Sequence, residues 1–335
     1  MLQTIVTAAQ GDLRQSELPP LLPVQRSATA GDLLSVDTTI RFQTLEGFGG
    51  AFTEAAAVNW LGLSGAQRKA ALRAYFAEPA EGGHGYSLCR VHMNSCDFAL
   101  GNYAHVERAG DIELQSFSIA RDREALLPLI HAAQQYSTRP LRVLMSPWSP
   151  PSWMKSNQRM NGGGHLLPQY RQAWAECFVR FIQAYREEGV DVWGVTVQNE
   201  PMAMQAWDSC LYSAEEERDF IGQHLGPTLR RAGLDHIRII AWDHNRDLLP
   251  DRARILYRDP IVRDYLWGLG FHWYGEAMFE NVRRVHEAWP EKKLLLTEAC
   301  QEGGPHRDEW AVGERYGQSM IADLNNSSVG WIDWN

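Results

Sequence analysis

The stretch VWGVTVQNE, residues 192–200, carries the fold and the question of function together. Five β-favouring residues, Val192, Trp193, Val195, Thr196 and Val197, run without a charge into Gln198, Asn199 and Glu200. Continuous apolar character, rather than strict alternation, is the pattern of a parallel strand covered on both faces. A carboxylate at the end of such a strand adds nothing to packing. The reading depends on whether other strands end the same way.

They do. Working outward from 192–200, similar runs occur at 45–52, 86–93, 141–148, 237–243, 266–274, 293–300 and 329–335, which makes eight. Helical patterns separate them. The clearest, at 168–188, places Trp174, Phe178, Phe181, Ile182 and Tyr185 on one stripe, with Gly189 as a stop signal. Another begins at Ser213, where Glu216 three residues on forms a capping-box pattern. Further helices are expected near 64–77, 122–136, 278–289 and 308–325. Repeated strand-then-helix units predict an α/β fold, a (β/α)8 TIM barrel over 45–335. Residues 1–44 fall outside the alternation and read as extra strands at the N-terminus, with LLPVQRSATAGDLLSVDTTIRFQ as one or two of them. No eighth helix follows the last strand before Asn335, so one barrel flank is expected to be uncovered, with self-association through it.

Bulk composition narrows the partners. With net charge −9 and pI about 5.7, the chain is not read as a nucleic-acid binder. No apolar run is long enough to span a membrane. The opening residues, MLQTIVTAAQGDLRQ, lack a basic segment followed by an apolar core, which reads as cytoplasmic. Cys89, Cys96, Cys177, Cys210 and Cys300 are odd in number and show no CxxC spacing, so they read as apolar packers rather than disulfides or metal ligands. No metal or cofactor is expected.

In barrels the chemistry lies at the C-terminal ends of the strands. Read there, the strands offer Asp97 and Phe98, Trp148, Asn199 and Glu200, Trp242 and Asp243, His272 and Tyr274, Glu298, and Trp334. Glu200 and Glu298 match in register. Each ends an apolar strand after a small polar residue. Strands four and seven face each other across the mouth, and two carboxylates there suit glycoside hydrolysis, one as acid and one as nucleophile. Thirteen Trp residues fit a sugar site, since indole faces stack on pyranose rings. Asp97 is read as a hydroxyl acceptor, His272 as a substrate-binding residue in contact with the sugar, and Tyr274 as a donor to the nucleophile. Arg90, inside the second strand, is expected to pair with a carboxylate of the catalytic layer. Asp243 is read as a partner of Arg246.

The stretches EGFGGAFTEAAA (46–57), RVHMNSCDF (90–98), SPWSPPSWMKSN (146–157), VTVQNEP (195–201), ERDFIGQHLGPTL (217–229), FHWYG (271–275), TEAC (297–300) and GWIDWN (330–335) occur in an order that resembles glycoside hydrolase family 30, and within it the glucosylceramidase branch. The resemblance implies a retaining β-glycosidase acting on a β-linked glucoside or glycolipid, with Glu200 as acid/base and Glu298 as nucleophile. It implies that Asp97, Trp148, Asn199, Tyr274 and Trp334 line the sugar subsite, with Asn199 on the 2-hydroxyl. It also implies that the side β-sandwich of the family is incomplete here, residues 1–44 supplying only its N-terminal strands. Trp207 and Asp208 fall in the loop that receives the leaving group and depart from the pattern expected for a ceramide glucoside. A β-1,6-glucanase, a β-xylosidase, or a non-catalytic sugar-binding remnant therefore stay open.

Overall fold

In the computed structural model, which describes residues 2–11, 13–21 and 36–335, the apolar runs become parallel strands around one axis. The strands are β1 (Leu2–Val6), β2 (Ser16–Leu21), β3 (Gly47–Gly49), β4 (Ala51–Phe52), β5 (Leu88–Met93), β6 (Arg142–Pro147), β7 (Val192–Thr196), β8 (Arg238–Asn245), β9 (Leu266–His272), β10 (Lys293–Glu298) and β11 (Ser328–Ile332). Nine of them form one sheet in the order β3-β11-β10-β9-β8-β7-β6-β5-β4. β3 and β4 are two pieces of one stave, interrupted at Gly50. β3 pairs with β11 and β4 with β5, so the ring closes across the break and the barrel has eight staves. Gly49 is needed here: a Cβ would fall 1.8 Å from the Leu88 carbonyl oxygen.

The continuous apolar runs are explained by two cores. Leu88, Leu144, Trp193, Ile240, Leu295, Val329 and Ile332 fill the barrel interior. Their alternates, such as Val143 and Met145 flanking Leu144, face outward into the larger core beneath the helices. Both faces of each strand are dry, so both need apolar side chains. The helices are α1 (Glu54–Gly62), α2 (Gly65–Phe76), α3 (Leu126–Gln134), α4 (Arg171–Glu187), α5 (Ala214–Phe220), α6 (Gly226–Arg231), α7 (Leu249–Arg258), α8 (Pro260–Tyr265), α9 (Phe279–Ala288) and α10 (Trp310–Asn325). The stripe predicted on α4 is buried in full, and each such side chain contributes about 1.5–3 kcal/mol. Ser213 and Glu216 close the capping box of α5, which continues through a π-helical turn at Ile221–Leu225 into α6. Three helices were not expected. α1 is short and Ala-rich, capped by Thr53; α7 and α8 each open on a Pro near their first turn.

The N-terminal strands lie earlier than expected. β1 and β2 form an antiparallel hairpin, with Ile5 opposite Glu17. Of the stretch expected to be extended, 22–35 lies outside the described residues, and 36–46 carries no strand. After β11, the Asp333 amide donates to Gly49 O at 2.8 Å and the Trp334 amide to Ala299 O at 2.9 Å. These bonds hold Trp334 at the barrel mouth. Among the described residues no helix is long and apolar enough to cross a membrane.

Candidate active site

Parallel strands put all their C-terminal ends on one face, and the polar residues read from the sequence gather there. Glu298 is the last residue of β10. Beyond β7 the chain stays tied to both neighbours: the Asn199 amide donates to Pro147 O at 2.8 Å and the Glu200 amide to Asp243 O at 2.9 Å. Glu200 itself has φ 46°. In β8 the register slips between Trp242 and His244, where Trp242 and Asp243 adopt φ 71° and 50°. Two successive left-handed residues make a bulge, and the bulge aims Asp243 at the barrel axis.

Arg90 is the hub. Its guanidinium has five N–H donors and finds five acceptors. Nε donates to Ser146 Oγ at 2.8 Å; Nη1 to Thr297 O at 3.2 Å and Glu298 Oε2 at 2.7 Å; Nη2 to Asn199 Oδ1 at 2.9 Å and Asp243 Oδ2 at 2.7 Å. The guanidinium also lies 4.6 Å from the Trp148 ring centre and 5.4 Å from that of Trp334. Those two indoles stack, 4.7 Å apart and 21° from parallel. The pairing expected for Arg90 is therefore present, with both Glu298 and Asp243. The pairing expected between Asp243 and Arg246 is not. Arg246 lies past the end of β8, in the turn Arg246–Leu248, and is bound there by Asp323 of α10.

Glu298 has a donor on each oxygen, Arg90 on Oε2 and the Tyr274 hydroxyl on Oε1 at 3.0 Å. Tyr274 thus makes the contact read for it. Glu200 Oε1 lies 3.3 Å from His272 Nδ1 and 3.8 Å from His244 Nδ1. The His244 nitrogen accepts from the Asn245 amide at 2.9 Å, so it carries no proton toward Glu200. His272 does not line the cavity. It is wholly buried behind Glu200, with Nε2 3.0 Å from Asp243 Oδ1. Its reading as a residue in contact with sugar is corrected by that depth.

The titration of these groups follows their contacts. Burial pushes the Glu298 carboxyl up, opposed by His272 and Arg90 and reinforced by the charges of Glu200 and Asp243. At Glu200 burial acts upward too, but the His272 hydrogen bond and charge outweigh it and leave that carboxyl lowered. Asp243 faces the same burial, and Arg90 and His272 hold it well below the usual carboxylate range. His272 loses to burial and gains more from Glu298, Asp243 and Glu200, reaching about 9. Asp97 is pushed up to about 7 by burial and by the Glu298 charge.

These groups open on a cavity of about 310 Å³. Asp97, Phe98, Trp148, Asn199, Tyr274 and Trp334 line it, all of them read from the sequence. Gln205, Trp207, His244, Asn245, Cys300 and Glu302 also line it; of these only Trp207 was read as a site residue. Cys300 is not a simple packer: its Sγ lies 3.3 Å from the Tyr274 hydroxyl and borders the cavity. Asp97 Oδ1, Asn245 Oδ1 and the Trp334 Nε1–H are buried with no hydrogen-bond partner among the described residues, which is the condition of groups that await a polar ligand. The Asn199 amide oxygen is taken by Arg90, so Asn199 offers a ligand its N–H donors.

The loop bearing Trp207 is pinned at its base. Asp208 accepts from Ser95 Oγ at 2.6 Å and Asn102 Nδ2 at 3.0 Å. The buried Lys155 donates to Met160 O at 2.9 Å and Ser209 O at 2.6 Å. Glu200, His272 and Glu298 bring three ligand-type atoms within 4.8 Å of one another. Arg90 at 2.7 Å from Glu298, and a His272 engaged on both nitrogens, make this a carboxylate pair braced by cations rather than a cage for one.

Residues 45–335 match the family model described as the glycosyl hydrolase family 30 TIM-barrel domain. The chain belongs to glycoside hydrolase family 30. Lysosomal acid glucosylceramidase of Mus musculus is 36% identical over 322 residues, 91% of this chain and 62% of its own. The present chain thus spans about three fifths of that relative. Among solved structures, SrfJ from Salmonella typhimurium superposes with TM-score 0.83 at 38% identity, over 88% of this chain and 65% of its own. An endo-β1,6-glucanase superposes with TM-score 0.81 at 31% identity, over 89% and 67%.

Within this family 30 barrel, His244 and Asn245 escaped sequence reading because the bulge carries β8 two residues past Asp243. Gln205 and Glu302 sit on the loops at 201–212 and 301–310, whose shape no periodicity reports. Cys300 carried a usable signal, two residues beyond Glu298.

Proposed function

We propose that the protein is a retaining β-glycoside hydrolase of β-glucosidase or glucosylceramidase type, with Glu200 as acid/base and Glu298 as nucleophile. One observation carries the reading: an oxygen of each carboxylate lies within 4.8 Å of the other across a single cavity. Retaining enzymes hold their carboxyl groups about 5–5.5 Å apart, whereas inverting ones leave about 6.5–9.5 Å for a water between them. The roles are assigned from geometry and not from resting titration, since burial raises the Glu298 carboxyl, whereas at Glu200 burial is outweighed by the His272 contact, which lowers it. Donors on both oxygens of Glu298 match its carboxylate form and aim it. In the first step a Glu298 oxygen bonds to the anomeric carbon while the glycosidic oxygen leaves with a proton from Glu200. In the second, Glu200 takes a proton from water, and the water oxygen displaces Glu298. Asn199 offers its N–H to the 2-hydroxyl, and Asp97 and Trp334 offer their free polar atoms to hydroxyls further round the ring.

The test is hydrolysis of an aryl β-glucoside by the 335-residue chain beside Glu298→Gln and Glu200→Gln. Activity in the parent and its loss in Glu298→Gln are expected. Full activity in Glu298→Gln sinks the reading.

A second reading, a β-1,6-glucanase, is favoured by the loop side of the cavity. Trp207 is 40% exposed there, and the polar side chains of Gln205, Asn245 and Glu302 line the same cavity. This suits a hydroxylated sugar as leaving group better than two alkyl chains. Rates on β-1,6-linked gluco-oligosaccharides and on glucosylceramide, measured side by side, separate the two.

A further inference from the structure

Double displacement asks Glu200 to give up a proton and later to take one, beside a second carboxylate. The site contains a chain of contacts behind Glu200 that bears on how this is done. Arg90 holds Asp243 at 2.7 Å, and Thr297 Oγ1 donates to the same carboxylate at 2.6 Å. Asp243 meets His272 Nε2 at 3.0 Å, and His272 Nδ1 meets Glu200 Oε1 at 3.3 Å. His272 is wholly buried, so its proton exchanges with these neighbours rather than with solvent.

We propose that His272 is a positioning residue that stores the catalytic proton, so that Asp243, His272 and Glu200 work as one acid/base unit. The proposal rests on the assignment of Glu200 and Glu298 above. In the resting site His272 is an imidazolium donating to both carboxylates. During glycosylation Glu200 takes the proton of His272 Nδ1 and passes it to the leaving oxygen as the bond from the anomeric carbon to that oxygen breaks. A Glu298 oxygen bonds to the anomeric carbon, and Glu200 is left as a carboxylate. His272 is then neutral, still donating Nε2–H to Asp243. During deglycosylation water bonds to the anomeric carbon and the ester bond to Glu298 breaks. The proton of the water passes to Glu200 and back to His272. No redox change and no further reactant is involved.

The groups facing His272 support this cycle. From β10 comes Glu298, from β8 Asp243 and His244, from the end of β7 Glu200, and from its own strand end the Tyr274 ring at 6.0 Å. His244 is 6.3 Å away between ring centres and, accepting at Nδ1 from Asn245, adds no charge there. Among the charges that raise His272, that of Glu298 is the largest. Conversion of Glu298 to an ester removes this charge, and with it part of the hold of His272 on its proton. Release of the ester restores both. The nucleophile thus sets the state of the proton store without touching it.

The experiment uses the whole chain labelled with ¹⁵N-histidine, with His272→Asn to assign the signals. The imidazole nitrogens are recorded near neutral pH, free and after trapping with a 2-deoxy-2-fluoro-β-glucosyl fluoride, and intact mass reports the trap. Both His272 nitrogens are expected to be protonated in the free protein, and one to lose its proton in the trapped one. A neutral His272 in the free protein, or an unchanged imidazolium in the trapped one, overturns the proposal. Absence of any adduct on Glu298 overturns the assignment beneath it, and mass alone distinguishes that case. Kinetics give a second reading. In His272→Asn, kcat/KM is expected to fall about a hundredfold for a phenyl β-glucoside, within the range of general acid catalysis. For a dinitrophenyl β-glucoside, whose leaving group needs no proton, little change is expected. Equal losses on both substrates would mean a merely structural role.

Discussion

Replacing Arg90 by Met tests the account of the hub. The side chain is wholly buried, and each of its five donors has an acceptor. Met fills similar length without charge or donors. Two carboxylates, Asp243 and Glu298, lose a partner at 2.7 Å. Removing one side of a buried ion pair costs about 3–5 kcal/mol, because the other charge is left uncompensated. Against a typical total of about 5–15 kcal/mol this is severe, and it corresponds to a fall in Tm on the order of 10 °C. The loss depends on pH. In the parent, Asp243 is held below its unfolded value of about 3.9 despite burial, chiefly by Arg90 and His272. A depressed carboxylate contributes stability above its unfolded pKa and loses it as pH falls through the folded one. The variant lacks this contribution, and in it both carboxyls are relieved by protonation. The gap between the two proteins is therefore widest near neutral pH and narrows on acidification below about pH 5. Calorimetric melts of both proteins from about pH 2 to 8 measure it. A gap below about 1 kcal/mol, or one that stays constant with pH, refutes the reasoning.

Glu200→Gln should lower kcat/KM by about 10²–10⁴-fold on a phenyl β-glucoside, and added azide should restore turnover of an activated substrate by taking the place of the base. Tyr274→Phe removes one donor from Glu298; at about 1.5–3 kcal/mol for a hydrogen bond to a charged group, kcat/KM should fall by about one to two powers of ten, with Tm nearly unchanged. Asp97 is pushed up to about 7, and its anion is the better acceptor for sugar hydroxyls, so KM should fall as pH rises through 7; in Asp97→Asn that dependence should vanish from the KM profile. Trp148→Ala empties one half of the stacked indole pair under Arg90 and should cost about 3–5 kcal/mol in denaturant melts.

Much of this was legible in the sequence, and the limits have physical causes. The eight staves were readable because each is dry on both faces, so apolar character persists along it. Glu200, Glu298 and Arg90 were readable because a charge inside or at the end of such a run has no packing role. The first stave read as one strand because nothing in LEGFGGAF shows that Gly50 interrupts it. Asp243 was misassigned because sequence proximity to Arg246 suggested a pair, while the bulge that redirects it places Trp and Asp in a conformation their residue types seldom adopt. His272 was found as a residue but not as a position, because the depth of a side chain at a strand end is set by the loops around it.

The bulge at Trp242 and Asp243 and the turn at Glu200 have a consequence for engineering. Three bulky or charged residues with φ of 71°, 50° and 46° occupy backbone that glycine or asparagine would take more readily. Each such residue costs on the order of 1–3 kcal/mol. A search for stabilising substitutions that scores local backbone fit will select these three positions early. Relaxing them would trade the aim of Asp243 and of Glu200, the carboxylate proposed as acid/base, for a higher melting point. In any directed-evolution or consensus campaign on this barrel, they are the positions to hold fixed.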